Sequence, residues 1–203
     1  MTTFDERARE WDTPERRERA RAVAAAIREA MPLSRATRMI EIGAGTGLLG
    51  LELAPEVGDV VLAEPSTGML EVAREKIAAK EAFSRVSAVQ FDLLADPPPG
   101  GPFDLAVSVL VLHHLPDPRA ALAAVRDLLR SGGRIALADL DEEGGFFHGA
   151  DAEGIGHHGF DRTAVVALAR DLGFVDVAVT TAATLQREGR EYSVFLLVGA
   201  RAA

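Results

Sequence analysis

Short runs of apolar residues alternate along the chain with longer segments whose apolar positions recur every three or four residues. The runs at 39–42, 60–63, 86–91, 105–109 and 134–139 are β-branched or apolar and lack regular polar alternation, as strands covered on both faces do. Residues 46–54, 67–80 and 118–130 read as the helices between them. The last of these has Asp117 as N-cap, Pro118 at its first position and Gly132 just past its end. An earlier helix over 13–31 opens on Thr13-Pro14, puts Ala20, Val23, Ile27 and Ala30 on one face, and stops at Met31-Pro32. Such repetition implies an α/β fold with a parallel sheet and helices on both faces.

The last third breaks the repetition. A helix over 161–172 starts at Asp161 or at Arg162-Thr163 and stops at Gly173, and two β-prone runs follow, 175–181 and 192–198. The polar segment 185–190 between them has hairpin-loop character, so a seven-stranded, mostly parallel sheet is expected to end in an antiparallel pair. The segment DPPPGGP at 96–102 reads as a stiff turn. Residues 138–161 form a long glycine-rich loop, and loops of that length in compact domains are usually lids or binding elements. The expected organisation is one domain over 1–203, with a helical cap at 1–35 and a lid-like insertion at 141–160.

Composition narrows the chemistry. With 203 residues, 48% hydrophobic and 26% charged, the chain reads as a globular protein, and no apolar stretch nears the ~20 residues that span a bilayer. The amino terminus, MTTFDERAREWD, is charged where a signal peptide would be apolar, which makes a cytoplasmic address the expectation. The absence of Cys excludes disulfides, thiolate nucleophiles and Cys-ligated zinc. A net charge of −9 argues against nucleic acid as a substrate. Arg supplies nearly all the positive charge, which reads as compositional bias and not as recognition.

Gly45-x-Gly47-x-x-Gly50 follows a strand run and opens a helix, and a second strand run then ends at Glu64. This is the dinucleotide fingerprint, in which glycines admit a phosphate and an acid binds a ribose. Glu64 is expected at a carboxyl end of the sheet, where its oxygens can accept from both ribose hydroxyls. Glu41, two residues before Gly43, is a carboxylate that would repel a pyrophosphate and favour a cationic ligand. The terminal hairpin and the lack of a substrate domain also point away from NAD.

Glu41-x-Gly43-x-Gly45-x-Gly47, Glu64, Asp92 after the third strand, Leu112-His113-His114-Leu115 after the fourth and the hairpin together resemble the class I S-adenosylmethionine-dependent methyltransferases. Within them the chain is similar to the small-molecule branch that includes ubiquinone/menaquinone-type methyltransferases. The resemblance implies a Rossmann-like fold and S-adenosylmethionine as cofactor. It places Gly43, Gly45 and Gly47 beneath the methionine portion, Glu64 on the ribose, Asp92 on the adenine amino group, and Met69 and Leu70 beside the adenine. It puts Glu41 toward the ligand's ammonium group, through water, and Leu93 and Ser108 complete the cofactor set. Pro65 after Glu64 departs from the family pattern and would shift the ribose contact. Relatives often fold the amino-terminal region over the cofactor, so Trp11 either covers the methionine end or packs on the sheet.

The acceptor side belongs beyond the fourth and fifth strands. His148 and His158, each with a neighbouring Phe, are the expected catalytic pair for any proton transfer, and Phe146, Phe147 and Phe160 are expected to wall an apolar pocket. His113 and His114 are alternatives. Asp139, Asp141, His148, His157 and His158 have the residue types of a metal site, but their spacing matches no ligand motif, and no metal is expected. The adenine amino-methyltransferase signature is absent at Ser108-Val109-Leu110-Val111, and cytosine carbon methylation is excluded without Cys. The expectation is therefore methyl transfer to a small-molecule partner, with a homodimer through the exposed hairpin edge as an open option. The rivals are an NAD-dependent oxidoreductase and a noncatalytic binder of S-adenosylmethionine or S-adenosylhomocysteine.

Overall fold

The computed structural model describes residues 4–147 and 156–203. Helix α1 (Phe4–Arg7) and a 3-10 turn (Ala8–Glu10) lead into α2 (Pro14–Ala30), whose N-cap Thr13 accepts from Arg16 N. Seven strands follow in one sheet: β1 (Met39–Ile42), β2 (Val60–Glu64), β3 (Val86–Gln90), β4 (Phe103–Val109), β5 (Leu129–Leu140), β6 (Phe174–Arg187) and β7 (Arg190–Arg201). Their spatial order is β3-β2-β1-β4-β5-β7-β6. β7 pairs antiparallel with both β5 and β6, so among the described residues it is the only reversed strand, and β6 forms one edge. Among the described residues no helix is long and apolar enough to cross a membrane.

The sheet is covered on both faces because its side chains alternate between two apolar clusters. On one face Met39, Leu62, Leu105 and Val107 pack with Val23 and Ile27 of α2 and with α3 (Leu48–Leu53) and α4 (Thr67–Ala78). On the other, Ile40, Ile42, Ala106 and Phe195 pack with α5 (Pro118–Leu128) and α6 (Arg162–Asp171). The Asp117 carboxylate accepts from Arg119 N and Ala120 N, and that of Asp161 from Ala164 N, so both caps read from the sequence are made.

Several boundaries differ from the sequence expectation, and three of them have a clear local cause. Helix α3 begins at Leu48 and not at residue 46, because Gly47 has φ of 79°. Helix α5 ends at Leu128, two residues early: Leu129 is buried and pairs with Phe103, so sheet pairing takes over where helix propensity alone would continue. The expected loop 185–190 shrinks to Glu188-Gly189, both at positive φ, since Leu185 pairs with Tyr192 and Gln186 Nε2 donates to Glu191 Oε1 at 2.6 Å.

Candidate functional site

The turn from β1 into α3 holds three glycines in left-handed conformations, with φ of 61° at Gly43, 55° at Gly45 and 79° at Gly47. Two have no room for a side chain: a Cβ on Gly43 would lie 2.6 Å from Val111 Cγ2, and one on Gly47 would lie 2.7 Å from Leu62 Cδ1. Backbone therefore lines this end of the sheet. Glu64, at the carboxyl end of the adjacent β2, is buried; its Oε2 accepts from Gly45 N at 2.8 Å and its Oε1 from Ser66 N at 2.9 Å. Burial raises its pKa, while the Ser66 and Gly45 amides pull the other way. Each oxygen keeps a second lone pair, so the carboxylate fixes the loop and can still accept from two hydroxyls.

Glu41 is not where the resemblance puts it. Its side chain shares a face with Met39, beneath α3, and Oε2 accepts from Gly50 N at 2.8 Å with only 1% of the residue exposed. Gly50 allows this approach, for a Cβ there would fall 2.5 Å from that oxygen. Burial pushes the carboxyl up to about 8, so at neutral pH it is mostly uncharged and cannot draw in a cation. This folded pKa lies above the ordinary carboxylate value, so the stability Glu41 contributes is complete at acid pH. It is lost progressively as pH rises from about 4.5 toward 8. Glu41→Gln keeps an acceptor for Gly50 N and removes the ionisation. Its melting temperature should fall less than that of the parent between pH 5 and 8; parallel melting curves across that range would refute the assignment.

The remaining cofactor candidates sit around the same mouth. Asp92, exposed just past β3, turns Oδ1 onto Leu94 N at 2.9 Å, and Leu93 beside it is half-buried. Met69 and Leu70 are buried in the first turn of α4, where Met69 N donates to the N-cap Ser66 Oγ. Ser108 is buried near the carboxyl end of β4.

The amino-terminal segment lies across this mouth as a strap. The Asp12 carboxylate accepts from Thr46 Oγ1 and pairs with Lys76, whose Nζ also donates to Thr46 O at 2.9 Å. Farther along, Asp5 Oδ1 accepts from Ser66 Oγ and Gly68 N at the start of α4, and Arg9 pairs with Glu75. Trp11 Nε1 lies 3.6 Å from where a Cβ on Gly45 would stand, which places the indole against the glycine loop. Phe4 meets Trp11 on one side and His114 on the other, at ring-centroid distances of 5.7 and 5.8 Å.

Beyond β4 and β5 the structure assembles a pair that sequence spacing alone had not joined. His113 Nδ1 lies 2.6 Å from Asp139 Oδ1, and both side chains are almost wholly buried. The Asp139 carboxylate also accepts from Leu140 N at 2.7 Å and His113 N at 3.3 Å. The His114 ring packs at 4.1 Å from that of His113 and faces Phe4. Parallel pairing of β4 with β5 is the signal that unites these residues, because it sets the ends of the two strands side by side.

His158 does not fit the water-excluded role expected of it. Its side chain is 57% exposed, with Nδ1 3.9 Å from Glu143 Oε1, and His148 lies outside the described residues. Nor do the three Phe side chains share a wall: Phe147 packs at 5.1 Å from Tyr192 in one cluster, Phe160 joins the opposite cluster, and Phe146 is exposed beneath Arg190. Asp141 holds Arg162 through two contacts of 2.7 Å, and Asp139 is taken by His113.

A reversed β7 inside an otherwise parallel sheet, with a glycine loop facing an acid on the next strand, defines a class I Rossmann-like methyltransferase domain. The known proteins agree. The model of the methyltransferase domain family matches residues 40–135. An uncharacterised methyltransferase of Anoxybacillus flavithermus is 35% identical over 74% of the chain and 60% of its own length. The ubiquinone/menaquinone biosynthesis C-methyltransferase UbiE of Teredinibacter turnerae is 34% identical over 52% of the chain and 43% of its own length. The chain thus matches about half the length of these relatives. In fold it is like the phosphoethanolamine N-methyltransferase 2 of Haemonchus contortus solved with S-adenosyl-L-methionine, at a TM-score of 0.72, 16% identity and coverage of 100% of this chain and 61% of that one. The fold is that of the class I methyltransferases, and over residues 40–135 the chain is similar to the methyltransferase domain family.

Proposed function

We propose that the chain transfers a methyl group from S-adenosylmethionine to a small-molecule acceptor, as one domain with residues 1–35 as a cap and 141–160 as a lid-like insertion. The carrying observation is Glu64, pinned by Gly45 N at the end of β2, opposite a loop in which Gly43 and Gly47 leave no space for side chains. S-adenosylmethionine brings to such a site a sulfonium methyl already activated for in-line displacement. Gly43, Gly45 and Gly47 would hold the methionine portion, Glu64 the ribose, and Asp92 the adenine amino group. Met69, Leu93 and Ser108 would complete the pocket.

The protein's own task is then positioning, which can supply roughly 7 to 11 kcal/mol toward transfer. The strap is anchored by Asp5 and Asp12 beside the loop, and Trp11 borders the space next to Gly45. Where the acceptor arrives protonated, His114 takes the role of base that sequence reasoning gave to His148 and His158. It stands on the His113–Asp139 pair and faces the strap. A small organic acceptor is favoured by the likeness to a quinone-pathway C-methyltransferase and by the net charge of −9, which opposes nucleic acid.

With Glu41 withdrawn beneath α3, electrostatic repulsion no longer speaks against NAD; the strand order and the methyltransferase relatives do. Calorimetry decides between them. S-adenosylmethionine and S-adenosylhomocysteine should both bind saturably and NAD should not, and comparable NAD binding would defeat the reading.

A further inference from the structure

Four arginines from three parts of the fold lie near one another, two of them on Trp11 beside the glycine loop. Arg16 of α2 stacks on Trp11 with its Cζ 3.8 Å from the ring centroid and donates to Trp11 O at 2.9 Å. Arg7 approaches the same ring at 5.4 Å, and Arg187, at the tip of β6, lies 5.4 Å from the Phe147 ring. Arg19 follows Arg16 by three residues on the same helix face. Arg7 and Arg187 both act on the Arg16 charge, and burial with the neighbouring Arg16 takes Arg19 down to about 10.

None of the four meets a carboxylate at salt-bridging distance among the described residues, although arginines elsewhere do, such as Arg28 with Glu56 and Arg162 with Asp141. The nearest acids to Arg16 are Asp12, already held by Lys76 and Thr46, and Glu15 in the first turn of α2. Arg16 and Arg19 are half-buried, and gathering like charges around them is unfavourable unless an anion compensates. In a chain of net charge −9 such a niche is a local inversion of the field.

The niche is also aromatic. Trp11 and Phe147 present their faces to guanidinium groups, and Tyr192 backs Phe147. Because Trp11 touches both Arg16 and the Gly45 turn, an anionic group gripped by the arginines would leave the rest of its molecule lying toward that turn. We propose that Arg7, Arg16, Arg19 and Arg187 form the anion-recognition end of the acceptor site, taking a carboxylate or phosphate borne by a molecule with an apolar body. This rests on the methyltransferase reading only for the word acceptor; the anion site stands on the cluster itself. The arginine richness of the chain is, at this place, recognition.

Trp11 is the only Trp in the chain, so its fluorescence reports the niche directly. The experiment titrates the full chain, with and without S-adenosylhomocysteine, using benzoate, phenyl phosphate, benzamide and benzyl alcohol. Benzoate or phenyl phosphate should give a saturable change that salt suppresses, and the two neutral compounds should not. Arg19→Gln and Arg187→Gln should each weaken that binding about tenfold or more, as expected for a lost charge-assisted hydrogen bond. Their affinity for S-adenosylhomocysteine in calorimetry should stay unchanged. Arg187 is exposed at a strand tip, so its variant tests the site even where Arg19→Gln folds poorly. Equal responses to neutral and anionic compounds, or anion binding indifferent to both substitutions, would overturn the proposal. Anion binding without any S-adenosylhomocysteine binding would leave the site standing and remove the methyltransferase reading.

Discussion

Glu64→Ala should weaken S-adenosylmethionine binding by about a hundredfold or more while leaving the protein folded. The substitution removes a buried carboxylate that accepts from Gly45 N and Ser66 N, and with it the acceptor proposed for the ribose. Hydrogen bonds to a charged group contribute about 1.5 to 3 kcal/mol each, so losing two in the bound state gives that factor. Glu64→Gln should fall between, since an amide offers one acceptor oxygen in place of two. The pH dependence has a definite sign. Burial raises the Glu64 pKa, so acidification should erode binding at a higher pH than an ordinary exposed carboxylate would. Calorimetry measures all three, and an alanine variant within about threefold of the parent would remove Glu64 from the site.

Asp139→Ala should be the most destabilising of these substitutions, by about 3 kcal/mol or more in urea denaturation. Three donors, His113 Nδ1, His113 N and Leu140 N, would lose their acceptor in a region where water cannot replace it. Each stranded buried donor costs about 1 to 3 kcal/mol. Asp139→Asn keeps one oxygen and should cost less. A loss below about 1 kcal/mol for the alanine variant would show that the surroundings relax and that the pair does not hold the end of β4 against β5.

Much of the fold was legible because apolar runs and caps are local signals. Thr13, Asp117 and Asp161 cap the helices they were expected to cap, and the strand runs lie where the apolar residues cluster. The site was harder, because chemistry depends on which way a side chain points and what another element brings to it. Glu41 is two residues from Gly43, yet strand alternation turns it under α3, away from the loop. His158 has a Phe nearby in sequence, but that Phe packs on the far side of the sheet. The His113–Asp139 pair needed the register of β4 on β5, and the arginine niche needed three elements to meet. No reading of spacing along one segment contains that information.

The strap has a kinetic consequence. Asp12 grips Thr46 and Lys76, and Asp5 grips the first turn of α4, so residues 4–12 are fastened to the elements that frame the proposed site. If the proposed cofactor enters past the strap, those contacts must part with it, and an influence that steadies one partner steadies the other. Whatever takes hold of residues 4–12 would then throttle the proposed transfer without touching the reacting atoms.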